Sequence, residues 1–257
     1  MSFIQMNIFS HSLQMEVSLN VILPNHASNL KDGETYKTLY LLHGLSDDHS
    51  IWMRRTAIER YAADYGIAVV MPAVARSWYT DMANNANYFT FVACELPNMC
   101  QSIFRGMSSK REDNFIAGLS MGGYGSMKIA LTYPERFGGI GSLSGTLDIA
   151  DVTRNRPIDE WKSIFGYDLT STGELYGTKH DNFNLARKLH AEGKKFPEIY
   201  IWCGEQDDLH HHSEKFHNLL CELGVEHKYE SSVGDHSWKW WDLHIQDAMR
   251  YLIGGEK

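Results

Sequence analysis

The chain has 257 residues, 43% of them apolar and 12% aromatic, which is enough for one large α/β domain with a sizeable core. Its formal net charge of −8 and its lack of any basic run argue against nucleic acid or an anionic membrane as a partner. The longest apolar run, 67–75, is too short to span a bilayer, and the N-terminus does not read as a signal peptide. The four cysteines form no C-x-x-C pair, so we expect reduced, buried thiols and a cytoplasmic location.

The first regular pattern is a strand over 13–23, where apolar and polar residues alternate. Such alternation is typical of a half-exposed antiparallel strand near a sheet edge. The next five predicted strands are short and apolar on both faces, as parallel strands are, and they span 38–42, 67–71, 114–117, 139–143 and 199–203. A last strand is predicted at 226–232. Helical spacing predicts helices at 53–64, 89–104, 122–133, 211–223 and 238–253. The alternation predicts a mostly parallel α/β sheet covered by helices on both faces.

This alternation breaks down between residues 145 and 195. The stretch is polar and rich in Asp, Asn and Thr, with weak helical patterns only at 158–164 and 184–189. Long irregular insertions in compact domains usually form functional loops or lids. We therefore expect a single domain over 1–257, with 145–195 as a small cap beside the functional site.

The clearest chemical motif is a nucleophile elbow. The sequence Gly118-Leu119-Ser120-Met121-Gly122 lies between a predicted strand and a predicted helix. In that context G-x-S-x-G places the serine on a tight, strained turn, and a Cβ two residues to either side would collide with a neighbouring strand or helix. Ser120 is therefore the predicted nucleophile, with a helix N-terminus behind it.

A serine hydroxyl needs a base to remove its proton, and the base needs an acid that orients it. On a sheet of this kind the expected chain order is Ser, then Asp or Glu, then His. Asp207 follows the strand 199–203 and is the predicted acid, ahead of Asp208 and then Glu205. These carboxylates would alternatively cap the next helix, a role that suits Asp208 better. His236 follows the last predicted strand and is the predicted general base and acid.

The oxyanion formed in such a reaction needs two backbone N–H groups. One is expected from Met121, the residue after the nucleophile. The other is expected from the loop after the strand 38–42, with Leu45 as the first choice and Gly44 as the second. His43, in the same loop, is interpreted as structural.

Three aromatic residues are candidate substrate-binding groups. Trp78 and Tyr79 lie in the loop after the strand 67–71, where they would wall an acyl pocket, and Trp238 lies just after His236. Plain packing is the alternative reading for all three. A tight aromatic wall would limit the length of the acyl group.

Together these residues resemble the α/β-hydrolase superfamily, and more narrowly its esterase D-like branch with the bacterial tributyrin esterases. The matching stretches are LYLLHGLSDDHSIW (39–52), WYTD (78–81), KREDNFIAGLSMGGYGSMKIAL (110–131), WCGEQDDL (202–209) and GDHSW (234–238). The resemblance implies the α/β-hydrolase fold and hydrolysis of short-chain acyl esters by Ser120, Asp207 and His236. Its substrate would be a small-molecule ester, and no cofactor would be needed. The stretch 145–195 matches little, and this stretch sets substrate preference in the family.

The same residues are also compatible with other functions. The acyl-enzyme could pass its acyl group to an alcohol or thiol, and related thioesterases acting on S-formylglutathione share the architecture. Phenolic esters such as feruloyl or cinnamoyl compounds would fit the chemistry, and an inactive hydrolase fold serving as a binding module is a further alternative. The strand 13–23 and the cap are candidate interfaces for a homo-oligomer.

A metal-dependent hydrolase is the remaining rival. His210, Glu214 and His217 fall at i, i+4 and i+7 on one face of a predicted helix, as metal ligands do. The same helix carries an apolar stripe over 216–220, so we interpret the histidines as solvated and expect no metal.

Overall fold

Eight strands form one sheet in the computed structural model, which describes residues 1–155, 158–166 and 175–255. The strands are β1 (Ser2–Ser10), β2 (Met15–Leu23), β3 (Thr38–Leu42), β4 (Ala68–Pro72), β5 (Asn114–Leu119), β6 (Gly139–Leu143), β7 (Glu198–Gly204) and β8 (Lys228–Ser232). Their order is β1-β2-β4-β3-β5-β6-β7-β8. The pairs β1–β2 and β2–β4 are antiparallel and the others are parallel, which confirms the predicted mostly parallel α/β fold.

Helices connect the strands. They are α1 (Ile51–Arg55), α2 (Ile58–Tyr65), α3 (Leu96–Ile103), α4 (Met121–Thr132), α5 (Ile149–Asn155), α6 (Glu160–Phe165), α7 (Asn182–Ala191), α8 (His210–Glu222) and α9 (Trp238–Leu252). A helical turn, Tyr88–Thr90, and a π-helical segment, Phe91–Glu95, lead into α3. No helix in the described ranges is long and apolar enough to cross a membrane.

The core has two parts, one on each face of the sheet. The central strands β3, β4, β5 and β6 are buried along their whole length, as parallel strands covered on both sides must be. Along β3, Tyr40 and Leu42 belong to one apolar cluster and Leu39 and Leu41 to the other, because successive side chains of a strand point to opposite faces. Helices α4, α7 and α8 contribute to the first cluster, and α1, α2 and α9 to the second.

The N-terminal edge differs from the expectation. The edge strand is β1, which was not predicted from the sequence, and it pairs along its length with β2. The second half of β2 also pairs with β4, so β2 is an inner strand of the sheet. Asn20, on the face expected to be solvated, is buried, and its side-chain amide donates to the carbonyl of His49 (3.1 Å). The segment of His49 therefore covers part of this face, and β2 is less exposed than its alternating sequence indicated.

Two predicted helices are interrupted. The helix expected over 53–64 is split into α1 and α2 at Thr56, whose backbone is extended and whose hydroxyl donates to the carbonyl of Trp52 (2.6 Å). In the helix expected over 89–104, Pro97 lies in the first turn of α3, directly after the π-helical segment. Proline is tolerated there because the first turn does not need its N–H.

The stretch 145–195 contains more regular structure than its sequence indicated. Helix α5 was not predicted, whereas α6 and α7 match the weak helical patterns. Helix α7 packs on α4, with Leu185 and Leu189 in the core. The part that borders the functional cavity is therefore shorter than 145–195 and comprises α5 and α6; residues 156–157 and 167–174 lie outside the described ranges.

Glu95 fixes the turn of the N-terminal hairpin to the body of the domain. One carboxylate oxygen accepts from the hydroxyl of Ser10 (2.8 Å) and the N–H of Ser12 (2.9 Å), and the other accepts from the N–H of His11 (2.7 Å). Partial burial acts to raise the pKa of Glu95, but these hydrogen bonds outweigh it and hold the pKa below its ordinary value.

Replacing Glu95 by Gln should lower the free energy of unfolding by about 1–3 kcal/mol at neutral pH, because hydrogen bonds to a charged acceptor are the stronger ones. Since the pKa is depressed in the folded state, this contribution is complete above the unfolded-state value of about 4.3 and is lost as the pH falls through the folded-state pKa. Urea unfolding of wild type, Glu95→Gln and the control Glu16→Gln, whose side chain is exposed, measures it. Equal losses in the two variants, or a difference that grows as the pH falls, would contradict this account.

Candidate active site

Ser120 lies on the turn between β5 and α4 with φ = 52° and ψ = −115°, a conformation that is rare for a residue with a side chain. The flanking glycines explain how the turn is so tight. A Cβ on Gly118 would come within 2.6 Å of the backbone of Gly122, and a Cβ on Gly122 within 2.5 Å of the carbonyl oxygen of Leu42. Both glycines are therefore required by close backbone approach, as the motif indicated.

Ser120, His236 and Asp207 form one hydrogen-bonded chain. Nδ1 of His236 lies 2.8 Å from a carboxylate oxygen of Asp207, and Nε2 lies 3.1 Å from the hydroxyl of Ser120. Because an ionised carboxylate only accepts, Nδ1 carries the proton and Nε2 is left to accept from the Ser120 hydroxyl. The three side chains come from the ends of β5, β7 and β8, in the order Ser, Asp, His along the chain.

Asp207 is buried, yet its surroundings favour the ionised carboxylate. Burial acts to raise its pKa, but the hydrogen bond and charge of His236 and the N–H of Leu209 outweigh burial and lower the pKa below its ordinary value. Its second carboxylate oxygen accepts from that N–H (2.9 Å). Asp208 does not take the capping role expected for it: Leu209 is the residue that precedes α8, and no side-chain cap is present there within the described chain.

The loops that carry the acid and the base are joined by Gln206. Its N–H donates to the carbonyl of Gly234 (2.9 Å), and its side-chain oxygen accepts from the N–H of Gly234 (2.9 Å). Behind Asp207, the hydroxyl of Ser144 accepts from the indole N–H of Trp241 (3.0 Å), and the Trp241 ring packs edge-on against the His236 ring (4.9 Å between centroids). No sequence pattern indicated a role for Gln206, Ser144 or Trp241, because only the fold brings them beside the predicted residues.

The expected oxyanion groups lie next to Ser120. Met121 is the first residue of α4, so its N–H has no acceptor within the preceding turn of the helix. The N–H of Leu45 faces no acceptor among the residues that the structure describes. Gly44 lies so close to the elbow that a Cβ there would come within 2.6 Å of the Leu119 side chain and 3.7 Å of Cβ of Ser120. Close packing against the elbow therefore explains why this position needs a glycine.

The loop that holds Leu45 is fixed by a buried histidine. Nδ1 of His43 donates to the carbonyl of Gly44 (2.8 Å), and Nε2 accepts from the N–H of Val74 (3.1 Å). Burial lowers the pKa of His43 to about 4, so the ring is neutral at pH 7. The hydroxyl of Tyr79 donates to the carbonyl of His43 (2.9 Å), and Tyr79 is fully buried. The side chain of Tyr79, a predicted substrate contact, thus has no exposed surface in this structure and holds the loop.

A cavity of about 610 Å³ opens over Ser120 and His236. Its apolar wall comprises Leu45, Trp78, Val152, Ile158, Trp161 and Leu209. Trp78, a predicted substrate-binding residue, lines this cavity, with its ring 5.2 Å from that of Trp161. Helices α5 and α6 supply part of the wall, and the paired side chains Arg76 and Glu160 (2.6 Å) join α6 to the loop that carries Trp78.

A second hollow of about 550 Å³ lies on the other side of the same two residues. Gly44, Leu45 and Trp238 border it together with Ser120 and His236. Trp238 also packs edge-on against Trp52 (5.0 Å between centroids). Trp238 therefore lies near Ser120 and His236, but it borders the second hollow, whereas Trp78 lines the larger cavity.

The rival metal triplet is not assembled. Nε2 of His210 lies 2.9 Å from the hydroxyl of Ser231, and Nδ1 of His217 lies 2.7 Å from Nε2 of His227. Within the described ranges, ligand atoms come together in two other groups, Asp151 with His211 and His212, and His217 with Cys221 and His227. The first group lines the larger cavity, and His212 is buried there, so the histidines of α8 do not all lie on its solvated side.

The fold and the elbow define a hydrolase of the α/β-hydrolase class. A family model for esterases, with the description "Putative esterase", matches residues 10–252. An acetyl esterase of Caldicellulosiruptor saccharolyticus is 34% identical over 266 residues, covering 98% of each chain. A substrate-bound, fluorophosphonate-binding serine hydrolase of Staphylococcus aureus is 36% identical with a TM-score of 0.90, and an S-formylglutathione hydrolase of the same organism is 37% identical with a TM-score of 0.87. Each covers 98% of this chain and has 98% of its own chain covered.

The chain therefore belongs to this esterase family. It is a carboxylic ester hydrolase.

Replacing Asp207 by Asn should lower kcat for a small ester by about 10⁴-fold, as the equivalent change does in a serine protease. The Asn amide would donate to Nδ1 of His236, which moves the imidazole proton to Nε2 and removes the base that Ser120 needs. The matched control is Asp208→Asn, which changes the exposed neighbouring carboxylate and should change kcat less than about tenfold. A larger loss in Asp208→Asn than in Asp207→Asn would assign the acid to Asp208.

Proposed function

We propose that the protein is a serine carboxylesterase that hydrolyses short-chain acyl esters through Ser120, His236 and Asp207. The observation that carries the proposal is the hydrogen-bonded chain from the Ser120 hydroxyl through His236 to Asp207, with distances of 3.1 and 2.8 Å. This chain starts at a strained serine beside the first turn of a helix, in a cavity large enough for a small ester.

In the acylation step, the Ser120 oxygen attacks the ester carbonyl while Nε2 of His236 takes the hydroxyl proton. Asp207 holds the imidazole in the required tautomer and stabilises its cation. The N–H groups of Met121 and Leu45 stabilise the oxyanion, and each such donor is worth about 3–4 kcal/mol in a comparable hydrolase. The imidazolium then gives its proton to the leaving alcohol as the carbon–oxygen bond breaks.

In the deacylation step, His236 removes a proton from a water molecule as that water attacks the acyl-enzyme. The second oxyanion collapses, the Ser120 oxygen leaves and takes the proton back from His236, and the carboxylic acid departs. The protons balance over the cycle, so these residues complete the reaction without a cofactor or metal.

The short-chain preference is supported by the wall of the larger cavity. Trp78 and Trp161 are both buried and in contact, and Trp161 also stacks on Phe165 (5.8 Å between centroids). Rings packed on two sides cannot move aside cheaply, since a well-packed core resists extra volume. A chain longer than the space beside these rings would have to displace them.

Thioester hydrolysis is the second candidate, because the S-formylglutathione hydrolase of Staphylococcus aureus is 37% identical over nearly the whole chain. Acyl transfer to an alcohol or thiol and hydrolysis of phenolic esters use the same acyl-enzyme.

We further propose a small-molecule substrate without nucleic-acid or membrane partners, and a cytoplasmic location, which the four unpaired cysteines support. Cys221 is exposed, contrary to the expectation of buried thiols. The homo-oligomer remains a prediction.

A series of p-nitrophenyl esters from acetate to octanoate tests the acyl preference. We expect kcat/KM to be highest for acetate to butyrate and at least about tenfold lower for octanoate, since a single misplaced methylene in an apolar pocket costs about 1–3 kcal/mol. Trp161→Ala should shift the maximum to longer acyl groups. The control is Phe183→Ala, which removes a ring that packs on Phe216 outside both cavities and should lower stability without shifting the preference.

Octanoate as the best substrate, or an equal loss on all esters in Trp161→Ala, would contradict the short-chain proposal. A glutathione thioester in the same series separates the second candidate: a much larger kcat/KM for the thioester than for any oxygen ester would favour it.

A further inference from the structure

Three metal-ligating side chains meet where α8 approaches the segment before β8. His217 and Cys221 are four residues apart on α8 and therefore share one face of the helix, and His227 directly precedes β8. Nδ1 of His217 lies 2.7 Å from Nε2 of His227, and Sγ of Cys221 lies 3.8 Å from each ring nitrogen of His217. All three ligand atoms lie within 4.8 Å of one another.

We propose that His217, Cys221 and His227 bind one divalent transition-metal ion of the zinc type, with the fourth position open to water. Two imidazole nitrogens and a thiolate are a donor set that favours zinc over magnesium or calcium, which prefer oxygen ligands. The proposal is independent of the ester chemistry, because none of these residues lines the cavities beside Ser120.

The distances fit a tetrahedral ion with a small adjustment. With metal–nitrogen bonds of about 2.0–2.1 Å and a metal–sulfur bond of about 2.3 Å, ligand atoms lie about 3.3–3.6 Å apart. The separation of 3.8 Å between sulfur and nitrogen is close to this, whereas the 2.7 Å between the two histidines is that of a hydrogen bond. A metal ion would replace the shared proton, and the two rings would separate by about 0.6 Å to reach tetrahedral spacing.

The surroundings already hold the rings as metal ligands are held. Nδ1 of His227 lies 2.7 Å from the carbonyl of Val225, so it carries a proton and leaves Nε2 with its lone pair facing His217. A backbone carbonyl on the second nitrogen is the usual partner of a ligating histidine. The ring of His217 stacks on Tyr229 at 4.5 Å, and the charge of Glu214 acts on His217, which adds local attraction for a cation.

An ion at this position would join the last turns of α8 to the segment that leads into β8. The proposed metal site lies far along the chain from the active-site loops. Helix α8 begins just after Asp207, whereas Cys221 is near its C-terminal end, and β8 leads to His236, whereas His227 precedes its first residue. We therefore expect metal binding to raise the melting temperature, since a ligand that binds only the folded state stabilises it.

Cobalt(II) provides a direct test, because a thiolate bound to cobalt gives a charge-transfer absorption in the near ultraviolet that histidine and carboxylate ligands do not give. The full chain is stripped with a chelator, desalted, kept reduced with a phosphine, and titrated with Co²⁺ alone. We expect one equivalent to produce the band and Zn²⁺ to displace it. This band also separates the site from Asp151, His211 and His212, which include no thiol.

Cys221→Ser should abolish the band. His227→Gln should weaken cobalt binding by at least about tenfold, because even the loss of a residue that only supports a metal ligand typically lowers metal affinity by that factor. Cys94→Ser is the control for a thiol without a histidine pair and should retain the band. Since Cys221 is exposed, its variant should keep the wild-type circular dichroism spectrum. No band in wild type at saturating Co²⁺, or a band that persists in Cys221→Ser, would overturn the proposal.

Discussion

The strained backbone at Ser120 is the constraint on which the rest of the site depends. A residue with a side chain adopts this conformation only when its surroundings impose it. Here the N–H of Ser120 donates to the carbonyl of Leu143 (2.9 Å), and its own carbonyl accepts from Tyr124 (3.0 Å) and Thr146 (3.2 Å). Hydrogen bonds from β6, α4 and the loop after β6 thus hold both sides of the residue. The strain is offset by neighbours that are themselves part of the buried sheet and helix.

The same packing places the groups that must surround the serine. Because α4 approaches β3 at Gly122, the loop after β3 passes directly over the elbow, and this brings Gly44 and Leu45 beside Ser120. That loop needs the neutral, buried His43 and the hydroxyl of Tyr79 to hold it there. The proposed oxyanion donors thus owe their position beside Ser120 to a helix–strand contact between Gly122 and Leu42.

The proposed base, His236, and its proposed acid, Asp207, are positioned by neighbouring parallel strands. The end of β7 is in register with the end of β8, Gly204 opposite Ser232, so the loops with Asp207 and His236 leave the sheet side by side. Gln206 bonds the two loops together in both directions. Asp207 therefore reaches His236 over a span of a few residues from rigid strands, and a residue near a strand end is placed more precisely than one on a long loop.

The sequence was sufficient to predict the parallel strands and the candidate chemical residues, because both depend on local patterns. Short apolar runs mark β3 to β7, and Ser120 and Asp207 each follow such a run, whereas His236 follows the polar last strand β8. It was insufficient for β1, whose residues alternate weakly between half-buried and exposed positions, and for Tyr79, where only the fold shows which way a loop aromatic points. Gln206 and Ser144 act through contacts between loops that are far apart in the chain, so no pattern near them indicated a role.

The most direct test of the central claim, that the elbow makes Ser120 an activated nucleophile, is intact-protein mass spectrometry after incubation with a fluorophosphonate. Wild type and Ser120→Ala are treated side by side, and circular dichroism verifies that the variant is folded. The account predicts one covalent adduct on wild type and none on Ser120→Ala. An unmodified wild type, or an adduct that remains on Ser120→Ala, would contradict it.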